Sequence, residues 1–480
     1  MLILLFILIP LLAGLGILFT QNAAQAKTGA LLASLILLGI VWYAMYLPAS
    51  HDLLNYSRVW LGSINSRIDL YVDGVGKITT LLTAVGFPLI FLATWQNDYK
   101  DSNQYYAFML LTQAGLMGVF VASDALLFYF FWELALIPTY FLCSKWGGER
   151  RIPVSFKFFI YTFIGSVLML IGIIYLYMKT PDQSFSWSSF TQVDLNANEK
   201  MWFFWFFFIA FAIKMPVFPL HTWQPDTYEQ SPTGTTMVLS GIMVKMGLFG
   251  VVRWLIPVFP DLSKQMATPI ILICAIGMIY ASLIAIRQDD IKRLIAYSSI
   301  AHIGLMCAAF FVNNLYGRDG AVMQLFNHGI NIIGLWIIVD VIERQTGIRK
   351  MSQLGGLAQQ APWMAALLVV VALANIALPL TNAFVGEFLM FSGLFQYNPW
   401  LAVLAGLSII LAAVYTLGMI RKVFYGESVP ALVKSDLKAG EVIAMIAIIA
   451  MILISGFYPG PLLKLGSGEV WQAATTLVQP

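Results

Sequence analysis

Apolar stretches of about twenty residues, separated by short polar punctuation, run along almost the whole chain. A bilayer core is crossed by a helix of about 20 apolar residues. On that measure the pattern predicts fourteen spanning helices, near 1–20, 29–48, 75–95, 104–121, 123–143, 155–178, 201–222, 231–255, 268–286, 292–312, 320–342, 363–396, 399–422 and 440–458. Longer polar connections lie around 49–74, 179–200, 343–362 and 423–439, and no stretch suits a soluble domain. The opening MLILLFILIPLLAGLGILF lacks a basic leader and is long enough to span, so it reads as the first helix and not as a signal peptide.

Two of the stretches carry their own interruption. Pro216, Pro219 and Pro225 fall in AIKMPVFPLHTWQPD, and Pro379 falls in LANIALPLTNAFVGEF. Proline cannot donate to a helix ladder, and unwound backbone at membrane depth is tolerated only where protein or water satisfies it. Helices 7 and 12 are therefore predicted to be broken. The spacing also suggests an internal duplication: Glu133 to Lys214 is 81 residues and His302 to Glu387 is 85, each linking an intact helix to the broken helix two further on. Five-helix units related by inversion satisfy this, because an odd number of spans reverses orientation. The expected organisation is an N-terminal three-helix segment (1–103), a first repeat (104–255), a second repeat (268–422), and a C-terminal helix and tail (440–480).

Composition agrees with the pattern. The 480 residues are 60% hydrophobic and 11% charged, against about 25% charged in soluble domains. An all-α polytopic membrane protein is expected. A net charge of +3 spread over loops gives no support for a nucleic-acid surface. Cys143, Cys274 and Cys307 are far apart and read as small core residues, with no metal or iron–sulfur spacing. Lys and Arg are unequally divided: one set of alternate loops holds 16, from Lys27 to Lys438, and the other holds 8, from Arg58 to Lys464. That bias predicts the first set in the cytoplasm and both termini outside.

Against this apolar background six titratable residues stand out: Glu133, Lys214, Lys245, His302, His328 and Glu387, each in a different span. A charge at bilayer depth costs at least about 2.5–3.5 kcal/mol, so such groups tend to be paired, to line wet cavities and to serve transport. Glu133 is expected to accept the charge of Lys214 across adjacent helices, forming a pair that can open and close. Lys245, in GIMVKMG, reads as central and as a relay. His302 and His328 suit proton hand-over, with an ordinary pKa of about 6.5, although a lone helical His is often a packing residue. Glu387 has no cation nearby in sequence, so His328 or water is expected to stabilise its charge. His221 is as well explained by capping as by transport. The aromatic run MWFFWFFF at 201–208 reads as lipid-facing or interfacial surface. Asp69, Asp73, Asp124, Asp289, Asp290, Lys292 and Arg293 read as solvated or capping residues at span ends.

FWELALIPTYF, AIKMPVFPLHTWQPD, the GIMVKMG lysine and FVGEF together resemble the antiporter-like membrane subunits of NADH:quinone oxidoreductase, respiratory complex I, over essentially the whole chain. Within that family the resemblance is to the M type, counterpart of the mitochondrial fourth subunit, which has Glu rather than Lys on helix 12. The L type would also carry a long lateral helix after its last span, whereas only about twenty residues follow here.

The resemblance implies a proton-translocating module of a bacterial inner (plasma) membrane, driven electrostatically by quinone reduction in other subunits. In it Glu133 and Lys214 form the coupling pair, Lys245, His302 and His328 the central hydrated axis, and Glu387 leads outward. It also implies no cofactor in this chain, with NAD, FMN, iron–sulfur clusters and quinone in partner subunits, and neighbours of the L and N types. The lack of a G-x-G-x-x-G strand–helix unit agrees. Asn331 and Gln224 depart from the family pattern. The rival expectation is a subunit of a multi-subunit cation/proton (Na+/H+) antiporter, which shares the Glu–Lys pair but resembles the lysine-bearing type at helix 12.

Overall fold

Helices form where the apolar runs place them, since only a helix satisfies every backbone group within one segment in hydrocarbon. A computed structural model describes residues 1–427 and 435–467. Its helices are α1 (Leu2–Ile17), α2 (Ala23–Met45), α3 (Gly74–Ala93), α4 (Ser102–Val121), α5 (Ala125–Trp146) and α6 (Arg151–Lys179). Then follow α7 (Ala197–Lys214), α8 (Trp223–Gln230) and α9 (Thr233–Val258). The second half holds α10 (Ala267–Arg287), α11 (Ile291–Phe311), α12 (Leu315–Thr346), α13 (Pro362–Asn375), α14 (Asn382–Tyr397), α15 (Pro399–Phe424), α16 (Ala439–Phe457) and the short α17 (Gly460–Gly466). Eleven helices among the described residues are long and apolar enough to cross a membrane, and α1 and α13 are shorter apolar helices. Lys434 and the tail beyond residue 467 lie outside the described residues.

Both predicted breaks are present. The chain leaves helical geometry at 215–222, between α7 and α8, and at 376–381, between α13 and α14. Pro225 does not interrupt anything; it sits in the first turn of α8, where a missing N–H costs nothing. In the second break Ala377 and Leu380 adopt left-handed φ values of 55° and 74°.

The polar stretch 49–74 held an element that the hydrophobic pattern did not announce. Asn55–Leu61 (β1) and Ser66–Tyr71 (β2) form an antiparallel hairpin. It is tied to the bundle through Asp124, which accepts from the Arg67 backbone N–H at 3.0 Å and from Ser66 Oγ while capping α5. Asp73 caps α3 and also pairs with Arg253. Both carboxylates are buried, so their expected capping role holds while the solvated one does not.

The fully enclosed helices α9 and α12 form the axis of the bundle; α2, α6, α15 and α16 form its outer wall. Helix α12 runs 32 residues, longer than the predicted 320–342, and is buried throughout its apolar window. Close approach depends on small residues. A Cβ on Gly115 would collide with the α5 backbone at Leu134 and Ala135, so α4 and α5 meet at the level of Glu133.

Ion pairs gather at the two ends of the bundle. At one end, Lys27–Asp98, Lys145–Asp101, Arg150–Glu229, Arg293–Glu229, Lys292–Glu343 and Arg344–Glu441 join loops that belong to the set rich in Lys and Arg. At the other, Arg253–Asp73 and Lys179–Glu199 join the hairpin end. Burial pushes the Asp226 and Glu229 carboxyls up. Hydrogen bonds and attraction from Lys157 and Arg293 on Asp226, and from Arg293 and Arg150 on Glu229, outweigh it and hold both below the ordinary range.

Candidate functional site

The six titratable residues do not behave alike. Four of them form a contiguous series in the centre of the bundle. Lys245 Nζ lies 2.9 Å from His328 Nδ1 and donates to the Ser240 carbonyl at 2.9 Å. The His328 and His302 rings are 5.4 Å apart. His302 Nε2 stands 3.6 Å from Glu387 Oε1.

Helix geometry explains how Lys245 reaches its partner. It sits between two π-helical segments, Leu239–Met243 and Val251–Leu255. An extra residue per turn leaves backbone carbonyls without their usual partner, and such bulges recur at functional sites. Here the Ser240 carbonyl takes an ammonium proton. A lysine has three protons, so one is held by backbone, another is offered to His328, and one remains. With Lys245 as the donor, His328 Nδ1 accepts and Nε2 carries the ring proton toward space without a protein partner.

His302 is built differently. Nδ1 faces the Ser298 carbonyl at 2.8 Å and Nε2 faces the Asn375 carbonyl at 2.9 Å. Whichever nitrogen carries the proton finds an acceptor, and the ring is satisfied in full when it carries both. Asn375 is the last residue of α13, so its carbonyl is released for this purpose by the break that follows. Glu387 Oε1 has no hydrogen-bond partner among the described residues. Beside it lies a cavity of about 20 Å³ lined by His302, Glu387, Ser408 and Tyr415. A water needs about 10–15 Å³, so the cavity takes one, enough to bridge the histidine and the carboxyl.

Two expectations are corrected by this arrangement. The neighbour of Glu387 is His302, not His328. In space the histidines also stand in the reverse of their sequence order, because α12 packs its His328 against α9 while α11 packs its His302 against the second break.

Glu133 and Lys214 lie apart from that series. Lys214 is the last residue of α7 and is 1% exposed. Its Nζ has no hydrogen-bond partner among the described residues and lies 5.5 Å from the centre of the Trp132 ring. The direct ion pair with Glu133 expected from sequence is not formed: Glu133 Oε1 likewise has no hydrogen-bond partner among the described residues. Glu133 is half-buried and opens instead onto an apolar recess of about 430 Å³ lined by Trp60, Tyr129, Phe130 and Ile137. Lys214 and Lys245 flank one crossing of α7 and α9, since a Cβ on Gly247 would meet the Phe211 carbonyl at 2.6 Å and Met215 Cβ at 2.7 Å.

His221, in the first break, is buried among the Phe218, Tyr280 and Tyr297 rings. Sequence reasoning missed a group of amides around the second break. Asn331 and Asn382 exchange side-chain hydrogen bonds of 3.0 Å in both directions, and Asn327 donates to the Asn382 carbonyl at 2.8 Å. Ser298 Oγ contacts the Tyr415 hydroxyl at 3.0 Å and receives the Asn375 amide at 3.4 Å. Asn375 and Asn382 bracket Pro379 in an apolar run, which is a legible signal; Tyr415 is hidden among 20 tyrosines.

Comparison with known proteins extends these observations. The family model described as NADH:quinone oxidoreductase/Mrp antiporter, TM, matches residues 122–414. Subunit M of the NADH-quinone oxidoreductase of Rhodobacter capsulatus is 36% identical over 451 residues, covering 91% of this chain and 88% of that one. A chain of respiratory complex I from Thermus thermophilus superimposes with a TM-score of 0.91 at 28% identity, over 100% of both chains. A chain of the Mrp complex from Dietzia sp. superimposes at 0.87 with 19% identity, covering 97% of this chain and 95% of that one, a likeness of fold alone.

Proposed function

The chain belongs to the membrane-subunit family shared by NADH:quinone oxidoreductase and Mrp antiporters, and from that premise we propose that it is subunit M of a bacterial NADH:quinone oxidoreductase, carrying protons along Glu133, Lys214, Lys245, His328, His302 and Glu387. The observation that carries the relay reading is the series from Lys245 to Glu387: Lys245 Nζ 2.9 Å from His328 Nδ1, histidine rings 5.4 Å apart, and His302 Nε2 3.6 Å from Glu387 Oε1.

The chemistry needs no bond to break except those to protons. Two unit charges about 10 Å apart at an effective dielectric of 20 interact by about 1.7 kcal/mol, more than tenfold in proton affinity. A charge arriving beside Glu133 therefore alters the pull on Lys214, and a proton leaving Lys214 alters Lys245 in turn. Glu133 faces the lateral recess, where a neighbouring membrane subunit of the L or N type would present that charge. The drive comes from quinone reduction elsewhere in the complex. NADH, flavin, iron–sulfur clusters and quinone belong to partner subunits under this reading.

The architecture fits fourteen passes, if α7–α8 and α13–α14 each count as one broken crossing, with two inverted five-helix repeats over 104–255 and 268–422. The Lys- and Arg-rich end faces the cytoplasm and both termini lie outside. The rival reading, a cation/proton antiporter subunit, rests on a likeness at 19% identity, whereas the subunit M relative at 36% carries the name of the first.

The test is the proton-to-electron ratio of the assembled complex. Glu133→Ala and Lys214→Ala each lose most redox-coupled pumping while assembly is retained. A normal ratio in both variants would sink the coupling role. Rescue of sodium tolerance in an antiporter-deficient strain would favour the rival.

A further inference from the structure

At the hairpin end of the bundle, a recess of about 390 Å³ opens between the end of α2, the first turn of α3 and α17. Two ammonium groups line it, Lys77 and Lys464, and among the described residues no carboxylate does. Lys77 is 7% exposed, and Nζ donates to the Leu47 carbonyl. That accounts for one of its three protons. Among the described residues neither lysine has an ion-pair partner. A buried, unpaired ammonium is costly, so the site favours an anion supplied from outside the chain. Gly74 lines the same recess, but the α3 N-terminus is already capped by Asp73, so the attraction for an anion comes from the two ammonium groups.

The surroundings indicate which anion. Trp42, Tyr43 and Tyr46 on one side, and Phe457 and Tyr458 on the other, are all more than half exposed. Exposed Trp and Tyr at helix ends mark the headgroup level of a bilayer. Met45, Pro461 and Leu465 give the recess an apolar wall beside its cations. Phosphate with attached acyl chains matches both halves; free phosphate matches one.

We propose that Lys77 and Lys464 bind the phosphate of an anionic phospholipid, held against α3 and α17 at the hairpin end of the bundle. The ammonium pair takes the phosphate oxygens, and the apolar wall meets the upper acyl chain. The site is independent of the proton row, so it stands or falls apart from the translocation reading.

The intact complex in nanodiscs of phosphatidylcholine, doped with phosphatidylglycerol carrying a photoreactive group next to its phosphate, tests this directly. Labelling is expected within residues 45–49 and 461–465. A lysine near the membrane surface contributes enough attraction that losing one weakens labelling about fivefold and losing both about thirtyfold. Lys77→Met with Lys464→Met measures the larger effect. Lys464→Met alone measures the smaller in case the buried substitution prevents assembly, since Lys464 is exposed. Unchanged labelling in Lys464→Met overturns the proposal and leaves Lys77 as a cap on the end of α2. Equal labelling by a neutral phosphatidylcholine probe overturns it too. Loss of the label on adding inorganic phosphate would assign the recess to a free anion and overturn the lipid.

Discussion

The two broken helices carry their buried ionisable groups without a hydrogen-bond partner among the described residues, Lys214 and Glu387, on opposite sides of the break. Lys214 lies five residues before Pro219, at the C-terminal end of α7; the residue five before Pro379 is the uncharged Ala374. Glu387 lies eight residues after Pro379, in the second turn of α14; the residue eight after Pro219 is Thr227, whose hydroxyl donates to the Trp223 carbonyl. A helix end carries partial negative charge at its C-terminus and positive charge at its N-terminus. Lys214 and Glu387 thus each sit on the half-helix whose polarity suits them, and the sign of the group follows the half.

Magnitudes show that polarity is not sufficient. A helix end offers about 0.3–1 kcal/mol, up to about 2 when partly buried, and the effect fades beyond the first turn. Burial at membrane depth costs at least about 2.5–3.5 kcal/mol. Lys214, the terminal residue, draws on the full end of α7 and on the Trp132 ring. Glu387, six residues into α14, leans on His302 and borders a cavity large enough for one water. The first break is stabilised from its own helix end, the second from its neighbours.

Reversing the charge breaks this comparison most severely. Lys214→Glu would put an anion on the carbonyl end of α7 and within reach of Glu133, so pumping should fall below about a tenth, the factor corresponding to about 1.4 kcal/mol. In the second break Glu387→Gln should impair pumping strongly and Glu387→Asp should retain part of it, because a carboxyl one methylene shorter can still reach the water beside His302. Proton-to-electron ratios decide both. Retention of more than half the pumping in Lys214→Glu, or equal activity of Gln and Asp at 387, would remove the titrating role.

Sequence made the skeleton of this site legible because its signals are violations. A charge in a twenty-residue apolar run and a proline in its middle are each expensive, so Glu133, Lys214, Lys245, Glu387 and both breaks stand out. The family resemblance to the M type rested on the same residues, and relatives of that name align over most of the chain. What sequence could not supply is contact. Nothing in the spacing of His302 and His328 orders them in space; that depends on which face of α11 and α12 meets the breaks. Nor does the pattern reveal that Trp132 stands at Lys214. The hairpin escaped because its exposed strand β1, NYSRVWL, alternates too weakly for a half-buried strand. Asn327 is uncharged, and an uncharged polar residue costs little enough in a helix to pass as background; Asn331 and Asn382 are visible in the sequence, but their mutual contact is not.

Those amides sharpen the comparison at the next level of effect. Asn382→Ala removes the reciprocal bonds with Asn331 and leaves a buried amide unsatisfied, at a cost of about 1–3 kcal/mol. Across the first break Trp223 Nε1 donates to the Ile213 carbonyl at 2.9 Å, while Lys157 and Tyr161 hold Thr222 at its end. Trp223→Phe should cost about 1 kcal/mol, the net value of one such bond. Thermal inactivation of the assembled complex should therefore drop further for Asn382→Ala, with a fall in pumping, than for Trp223→Phe. Equal midpoints would mean that neighbours do not hold the second break more firmly than the first.

The smallest effect concerns the charges that tie the first break to the second repeat. Arg293 contacts Asp226 at 3.0 Å and Glu229 at 2.9 Å, both on α8, from the start of α11. The two carboxyls are held below their ordinary values near 4. A depressed carboxyl contributes stability that is present above its unfolded value and lost as pH falls through its folded value. Arg293→Gln raises the folded values, so acid inactivation should begin at a higher pH, with no change near neutrality. The Arg293 and Asp226 side chains are about a quarter exposed, so solvent screening keeps the contribution small. A shift of a fraction of a pH unit in the acid limb is expected, measured as retained quinone reductase activity after acid exposure. The second break has no such ion pair on α14 besides Glu387 and His302 among the described residues, so an identical acid limb in Arg293→Gln would show that Lys157, Arg150 and Arg349 hold the α8 carboxylates without Arg293.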